Sequence, residues 1–289
     1  AFTMKSDRRN CDLSFSNLCS WRFLYDTQFA VIDDFLVFKF WAGEQLAYMM
    51  PVGNGDLKAV LRKLIEDADK EKHNFCMLGV CSNMRADLEA ILPERFIFTE
   101  DRAYADYIYL RSDLATLKGK KFQAKRNHIN RFRNTYPDYE YTPITPDRIQ
   151  ECLDLEAEWC KVNNCDQQEG TGNERRALIY ALHNFEALGL TGGILHVNGK
   201  IVAFTFGMPI NHETFGVHVE KADTSIDGAY AMINYEFANR IPEQYIYINR
   251  EEDLGIEGLR KAKLSYQPVT ILEKYMACLK DHPMDMVRW

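Results

Sequence analysis

Apolar and polar residues alternate over VIDDFLVFKFWAG and QLAYMMPVG, a period of two that predicts the paired strands of a hairpin. Gly53-Asn54-Gly55-Asp56 then turns the chain and offers a helix N-cap. Behind it Leu57, Val60, Leu61, Leu64 and Ile65 recur at helical spacing. Phe75 to Val80 reads as a buried strand, and a helix around Met84 to Leu92 stops at Pro93. Strand-like segments follow at Phe96 to Thr99 and Ala105 to Arg111, then a basic helix from Lys118 to Asn134 and a short strand, Tyr139 to Pro143.

After Pro143 and Pro146 the order begins again. Asp147 to Val162 and Glu174 to Leu188 carry helical periodicity, and Asn198-Gly199 is the turn of a hairpin formed by Gly193 to Val197 and Lys200 to Met208. A strand (Phe215 to Ala222), a helix (Gly228 to Arg240), a strand (Tyr245 to Arg250), a short helix (Ile256 to Leu264) and a last strand (Val269 to Cys278) complete the pattern. The expected fold is α/β, with two similar halves meeting near residue 145, residues 1–145 and 146–289. Each half would be a mixed, mostly antiparallel sheet flanked by helices. The order of elements in the second half is similar to that of a GNAT-type acyltransferase domain, and the first half reads as a degraded copy.

A chain of 289 residues accommodates two domains of roughly 100–200 residues each. The 35 basic and 42 acidic residues sum to −7, so any contact with nucleic acid or an anionic membrane needs a local basic patch. The most apolar stretch, Phe29 to Trp41, is broken by Asp33, Asp34 and Lys39, whereas a membrane-spanning helix needs about 20 mostly apolar residues. The first ten residues lack the apolar core of a secretory signal. Cys11, Cys19, Cys76, Cys81, Cys152, Cys160, Cys165 and Cys278 are scattered, with no C-x-x-C pair. They are expected to be reduced thiols of a cytoplasmic protein, with no structural metal site among them. Nucleophile-elbow, H-E-x-x-H, Walker and dinucleotide motifs are absent.

Three segments stand out chemically. Leu117 to Arg133 holds seven basic residues and no acid. At about 100° per residue Lys125 falls inside the stripe of Phe122, Ile129 and Phe132, with Arg126 at its edge. A lysine there must snorkel, pair with a carboxylate or open onto a cleft. The second segment, Asn249 to Pro268, crowds Asn249, Arg250, Glu251, Glu252 and Asp253 at the carboxyl end of a strand. Its following helix again places Lys263 between apolar positions, with Arg260 alongside. A lysine and an arginine from each half suit an anion, such as a carboxylate, a phosphate or the oxyanion of acyl transfer. An internal salt-bridge network with Glu251, Glu252 and Asp253 is the alternative. In the third segment alternation sets Phe215, Val217 and Val219 on one face and His218 and Glu220 on the other. Glu220 or His218 is the candidate proton acceptor. The turn Ser225-Ile226-Asp227-Gly228-Ala229-Tyr230 leads into a helix, where acyltransferases hold a pyrophosphate on helix amides. It lacks the leading glutamine or arginine of the usual coenzyme A signature, and Tyr230 fills the last small position.

Taken together, Asp12-Leu13-Ser14-Phe15-Ser16-Asn17-Leu18 with Trp21, Lys125-Arg126-Asn127, Glu220-Lys221-Ala222, and Asn249 to Gly255 with Gly258 to Lys263 and Pro268 resemble one family. It comprises the C-terminal domain of phosphatidylglycerol lysyltransferases and its stand-alone bacterial relatives. The resemblance implies a tandem GNAT fold, related to the Fem peptidyltransferases, with two halves bracketing a central cleft. It implies transfer of an aminoacyl group from aminoacyl-tRNA to an amine or hydroxyl of a lipid head group, peptide or small molecule. Glu220, His218, Lys263 and Arg260 are the candidate catalytic residues. Lys125, Arg126, Asn127, Asn249, Arg250, Glu251, Asp253 and Tyr230 would bind substrate, and the basic helix would bind tRNA phosphates. The lysyltransferases also carry a multi-helix membrane domain, of which this chain shows no segment. Acetyl- or acyl-coenzyme A on Gly228 and Ala229 is the alternative donor, and a non-catalytic module binding an amino acid or anion is the third reading.

Overall fold

The computed structural model describes residues 1–163 and 169–280. Its strands are β1 (Gln28–Ile32), β2 (Phe35–Ala42), β3 (Gln45–Met49), β4 (Val52–Gly53), β5 (Cys76–Cys81), β6 (Phe96–Glu100) and β7 (Asp106–Leu110). They continue as β8 (Glu140–Pro143), β9 (Thr191–Val197), β10 (Lys200–Pro209), β11 (Thr214–Ala222), β12 (Tyr247–Glu252), β13 (Thr270–Leu272) and β14 (Lys274–Leu279). One sheet runs β1-β2-β3-β5-β14-β6 with β4 beside β2, and the other runs β13-β7-β12-β11-β10-β9-β8. Every ladder is antiparallel except β3 with β5 and β11 with β12. The fold is therefore the expected mixed α/β arrangement of two mostly antiparallel sheets.

Aligned on their parallel pairs, the two sheets match over six strands, with β8 the extra strand of the second, and each is completed by the other half's chain. β7 enters the second sheet between β12 and β13, while β14, last in sequence, enters the first sheet between β5 and β6. The strands consequently do not divide between the sheets at residue 145. β7 and β8 lie in the second sheet and β14 lies in the first. The segment expected as one strand, Val269 to Cys278, splits at Glu273 and passes from one sheet to the other. Near the N-terminus, Asp33 and Asp34 have φ of 47° and 63°. Two consecutive positive values make a tight turn of the kind that joins hairpin strands, so the first of the two expected strands is itself two, β1 and β2.

Local chemistry explains most elements. The Asp56 carboxylate caps the helix Leu57–Lys70 by accepting from the Ala59 amide at 3.0 Å. That helix buries Val60, Leu61, Leu64 and Ile65 against the first sheet. The second sheet is covered on both faces. Phe122, Ile129 and Phe132 of the basic helix and Met232 and Ile233 of the helix Ala229–Ala238 fill one face. Leu155, Leu178 and Leu182 fill the other. Each such fully buried large side chain contributes about 2 kcal/mol. Among the described residues, no helix is long and apolar enough to cross a membrane.

The cysteine expectation is corrected. The antiparallel register sets Cys76 of β5 opposite Cys278 of β14, and the two form a disulfide, their Cα atoms 4.1 Å apart. Cys160 is also disulfide-bonded, whereas Cys11, Cys19, Cys81 and Cys152 are free thiols. Cys165 lies outside the described residues. Scatter along the chain hid the pairing, because only the strand exchange brings residues 76 and 278 together.

Candidate functional site

The site forms where β11 and β12 part. Their parallel ladder holds for three pairs, Thr214 with Tyr247, Phe215 with Ile248 and Gly216 with Asn249. Both strands then bulge. β11 sets Val217 and Val219 against the consecutive residues Gly207 and Phe206, leaving His218 as the extra residue. β12 sets Asn249 against Ile108 and Glu252 against Asp106, again one residue in excess. A bulge bends its strand and re-aims the next side chains. Side chains rather than backbone span the gap: the Glu251 Oε1 lies 2.7 Å from His218 Nδ1, and Arg250 donates to Glu220 Oε1 at 2.9 Å.

The β11 bulge overturns one expectation. Phe215 and Val217 pack on the face covered by the helix Ala229–Ala238, but Val219 joins the core of the opposite face. Glu220 is thereby turned toward the helix Ala229–Ala238, where Asn234 Nδ2 donates to its second oxygen at 3.2 Å.

Glu251 sits at φ 60°, a left-handed conformation that costs a non-glycine residue of order 1 kcal/mol. Four contacts hold it there or brace it. Asn249 Oδ1 accepts from the Glu251 amide at 2.7 Å, Asn17 Nδ2 donates to the Glu251 carboxylate at 2.8 Å, His218 meets the same oxygen, and Ser14 Oγ is 2.9 Å from His218 Nε2. The sequence serine–histidine–carboxylate matches that of a hydrolytic relay. Ser14, however, is fully buried, so no ester reaches it. The relay braces Glu251 and, through it, the direction of Arg250.

Arg250 is the centre of the cleft. Its guanidinium carbon stands 4.9 Å from the Tyr266 ring centre and 5.7 Å from that of Tyr109, and Nη1 has no protein partner. Burial opposes its charge, but Glu220 and the two tyrosines hold it above its ordinary value. Lys125 reaches in from the helix Gln123–Thr135 and places Nζ 3.9 Å from the Tyr266 ring centre. Burial, then repulsion from Arg250, lowers its amine to about 8 against the pull of Glu220. Lys263, buried on the helix Glu257–Leu264, donates to the Glu252 carbonyl oxygen and is lowered by burial and by the same Arg250. The two lysines thus approach one guanidinium from opposite halves of the chain.

The partner arginines do not follow them. Arg260 is held in a forked bond by Asp253, with Nε at 2.9 Å from Oδ2 and Nη2 at 2.5 Å from Oδ1. Tyr107 Oη donates to Asp253 at 2.6 Å, and the Arg260 bond with these others lowers the Asp253 carboxyl to about 2. This pair is an internal salt bridge, the alternative raised for this segment. Arg126 donates to the carbonyls of Leu117 and Gly119 and to Gln123, capping the loop before its own helix. Asn127 is exposed and bonds Gln123. Asn249 is buried and ties β12 to Asp106 and to the Arg9 carbonyl at 2.8 and 2.7 Å. Tyr230 stands in the first turn of the helix Ala229–Ala238, its hydroxyl accepting from Trp159 at 3.2 Å.

Gly228 adopts φ 84° before the helix Ala229–Ala238, and a Cβ there would stand 3.2 Å from the His128 carbonyl oxygen. Three amides at and before this helix start are already used. Ser225 donates to Asp223 Oδ1, Ile226 to the Asp223 carbonyl and Ala229 to the Ile226 carbonyl, at 2.8, 3.1 and 3.1 Å. Along the basic helix, Lys121 pairs with Asp113, Arg131 with Asp227 and Arg133 with Glu236. Lys118 and Lys120 are exposed and carry no ion pair among the described residues.

Beneath the cleft, Lys274 holds Asp12, Asp106 and Glu252, each at 2.9 Å. Cys11, Asp12 and Glu252 bring ligand-type atoms within 4.8 Å of one another, but the lysine ammonium stands among them. Sequence reasoning assigned no role to Tyr266, Asn234, Asp106 or Lys274. Asp106 and Lys274 did carry a signal, as charged residues opening otherwise apolar strands.

These features define a tandem α/β fold of two mostly antiparallel sheets with a buried cationic cluster where β11 and β12 part. Residues 3–278 match the family described as phosphatidylglycerol lysyltransferase, C-terminal, and the chain belongs to it. Among solved structures it is similar to the C-terminal domain of a candidate lysylphosphatidylglycerol synthetase from Agrobacterium fabrum, with TM-score 0.72 and 13% identity over 96% of this chain and 89% of that one. It is also similar to L-PGS from Bacillus licheniformis, with TM-score 0.65 and 18% identity over 97% and 96%. An uncharacterized protein of Mycoplasmoides gallisepticum is 25% identical over 59% of this chain, which spans only 55% of that relative's length.

Proposed function

We propose that the chain is an aminoacyltransferase that moves an aminoacyl group from the ester of an aminoacyl-tRNA to an amine or hydroxyl acceptor. The observation that carries this reading is the meeting of Lys125 and Arg250 at the Tyr266 ring, with Glu220 bonding Arg250 and Lys263 near enough for Arg250 to lower its amine. Acyl transfer from an ester passes through a tetrahedral oxyanion, and preorganised cations out of bulk water stabilise it most. Arg250 Nη1, without a protein partner, is the donor best placed for that oxygen. Glu220 keeps the guanidinium aimed.

Support for a tRNA ester over a coenzyme A thioester comes from the Asp223–Gly228 turn. Its Ser225 and Ile226 amides bond within the turn, and the carboxylates of Asp223 and Asp227 flank it, which disfavours a pyrophosphate. Lys118 and Lys120 are the exposed cations left to meet tRNA phosphates. The acceptor class is an amine or hydroxyl on a lipid head group, peptide or small molecule.

The test incubates the protein with labelled aminoacyl-tRNAs at low salt, with and without a bacterial extract as acceptor. Label is expected to leave the tRNA faster and to appear in a new product. Absence of both binding and deacylation for every aminoacyl-tRNA would overturn the reading. Stabilisation by millimolar acetyl-coenzyme A, seen as a raised melting temperature, would favour the thioester donor instead.

A further inference from the structure

We propose that Lys125 is the proton acceptor of this cleft, its amine taking the proton from the attacking amine or hydroxyl. The proposal rests on the aminoacyl-transfer reading and deepens it. The acceptor's N–H or O–H bond breaks as its heteroatom bonds the ester carbonyl carbon, and the proton moves to the Lys125 amine. The oxyanion then collapses, the bond from carbon to the ribose oxygen breaks, and Lys125 returns the proton to that oxygen. The ledger closes on an aminoacylated acceptor, a free tRNA hydroxyl and a neutral Lys125.

Glu220 on β11 has both oxygens bonded, one by Arg250 and one by Asn234 of the helix Ala229–Ala238, so neither is free to meet an acceptor. His218 has both ring nitrogens engaged, by Ser14 and by Glu251. Lys263 is bound to the Glu252 carbonyl, and an arginine does not give up its proton at ordinary pH. Of the acidic and basic groups of the cleft among the described residues, Lys125 alone has no hydrogen-bond or ion-pair partner. It rests on the Tyr266 ring, whose phenol burial raises to about 12 and so keeps neutral. Across that ring stands Arg250, 4.9 Å from its centre, and Tyr109 of β7 lies beyond.

Burial and Arg250 bring the amine to about 8, where a useful fraction is neutral near physiological pH. A general base works best with its titration near the working pH. The helix arithmetic that placed Lys125 on an apolar stripe is the sequence trace of this arrangement.

Two measurements test the proposal. Trace acetylation with acetic anhydride across a pH series, read by mass spectrometry on the peptides around residue 125, reports titration of the amine without any substrate. Half-maximal reactivity is expected near pH 8, moving upward in Arg250→Gln, whereas an ordinary lysine gives about 10.4. In transfer assays Lys125→Arg keeps the positive charge and loses the base. It is expected to lower kcat at least about 100-fold, with the donor KM within about threefold, and to flatten the alkaline rise of kcat. Lys125→Cys alkylated with 2-bromoethylamine, which restores an amine, is expected to regain part of the rate. Half-maximal reactivity near pH 10, or a Lys125→Arg variant as fast as the parent, overturns the proposal and leaves aminoacyl transfer standing. A parent protein that transfers from no aminoacyl-tRNA overturns both.

Discussion

Asp106 and Lys274, the first residues of the two exchanged strands, face each other with Oδ1 and Nζ 2.9 Å apart, both fully buried. They occupy equivalent places, β7 beside β12 and β14 beside β5, so their ion pair lies where the two halves of the chain mirror one another. Asp12 and Glu252 join the same ammonium, which ties the N-terminal segment and the end of β12 to the exchange. The floor of the cleft and the joint between the sheets are one structure.

Lys274→Met is expected to be strongly destabilising, because it strands buried carboxylates without a counter-charge. Breaking such a group costs about 3–5 kcal/mol. Pairing it with Asp106→Asn is expected to cost less than the sum of the two single changes. Urea unfolding of the four-protein cycle measures the coupling.

Three carboxylates around one lysine leave an excess of negative charge. Burial, only partly offset by Lys274 and reinforced by Asp12 and Asp106, pushes the Glu252 carboxyl up to about 7. A carboxyl raised on folding adds stability below its unfolded value and loses it as pH climbs through the folded one. The native protein is therefore expected to lose stability between about pH 5 and 8, and Glu252→Gln to remove roughly 2 kcal/mol of that loss. Urea midpoints at pH 5.5 and pH 8 decide it, and equal slopes for both proteins would refute the assignment.

Arg250→Lys preserves charge but not the fork that meets Glu220 while leaving Nη1 open. Transfer from aminoacyl-tRNA is expected to fall roughly 100-fold or more, with the melting temperature within a few degrees of the parent. Glu251→Gln keeps the left-handed residue yet weakens its grip on His218 and Asn17, and a smaller loss, on the order of tenfold, is expected in kcat.

Cys76 and Cys278 close a loop with a sequence separation of 202. Long loops lose the most entropy on closure, so reduction is expected to lower stability by about 2–5 kcal/mol. Cys278→Ser is expected to shrink the difference between unfolding curves recorded with and without reductant to what the Cys160 disulfide alone contributes. A parent protein whose curves already coincide would mean that the pair is not formed in solution.

Much of this molecule was legible along the chain. Asn198-Gly199 makes the expected tight turn, with φ of 51° and 74°. Phe122, Ile129 and Phe132 are buried and Lys125 lies on their stripe, half-exposed beside Tyr266. Those features depend on neighbours three or four residues away, and helical or strand periodicity carries that information in full. Lys263 was legible for the same reason.

The tertiary structure decided the rest. Nothing local says that β7 and β14 trade sheets, because an apolar strand fits either gap equally and only long-range register chooses between them. The bulges at His218 and at Arg250-Glu251 depend on the strands opposite, and they separate Val219 from Val217, aim Glu220 at Asn234 and set Arg250 between two tyrosines. Arg260 and Lys263 share one short helix, yet Asp253 claims the first while the second reaches toward the cleft. Helix geometry predicts which side chains point inward, but which inward charge finds a partner depends on how the neighbouring strand end folds back beside the helix.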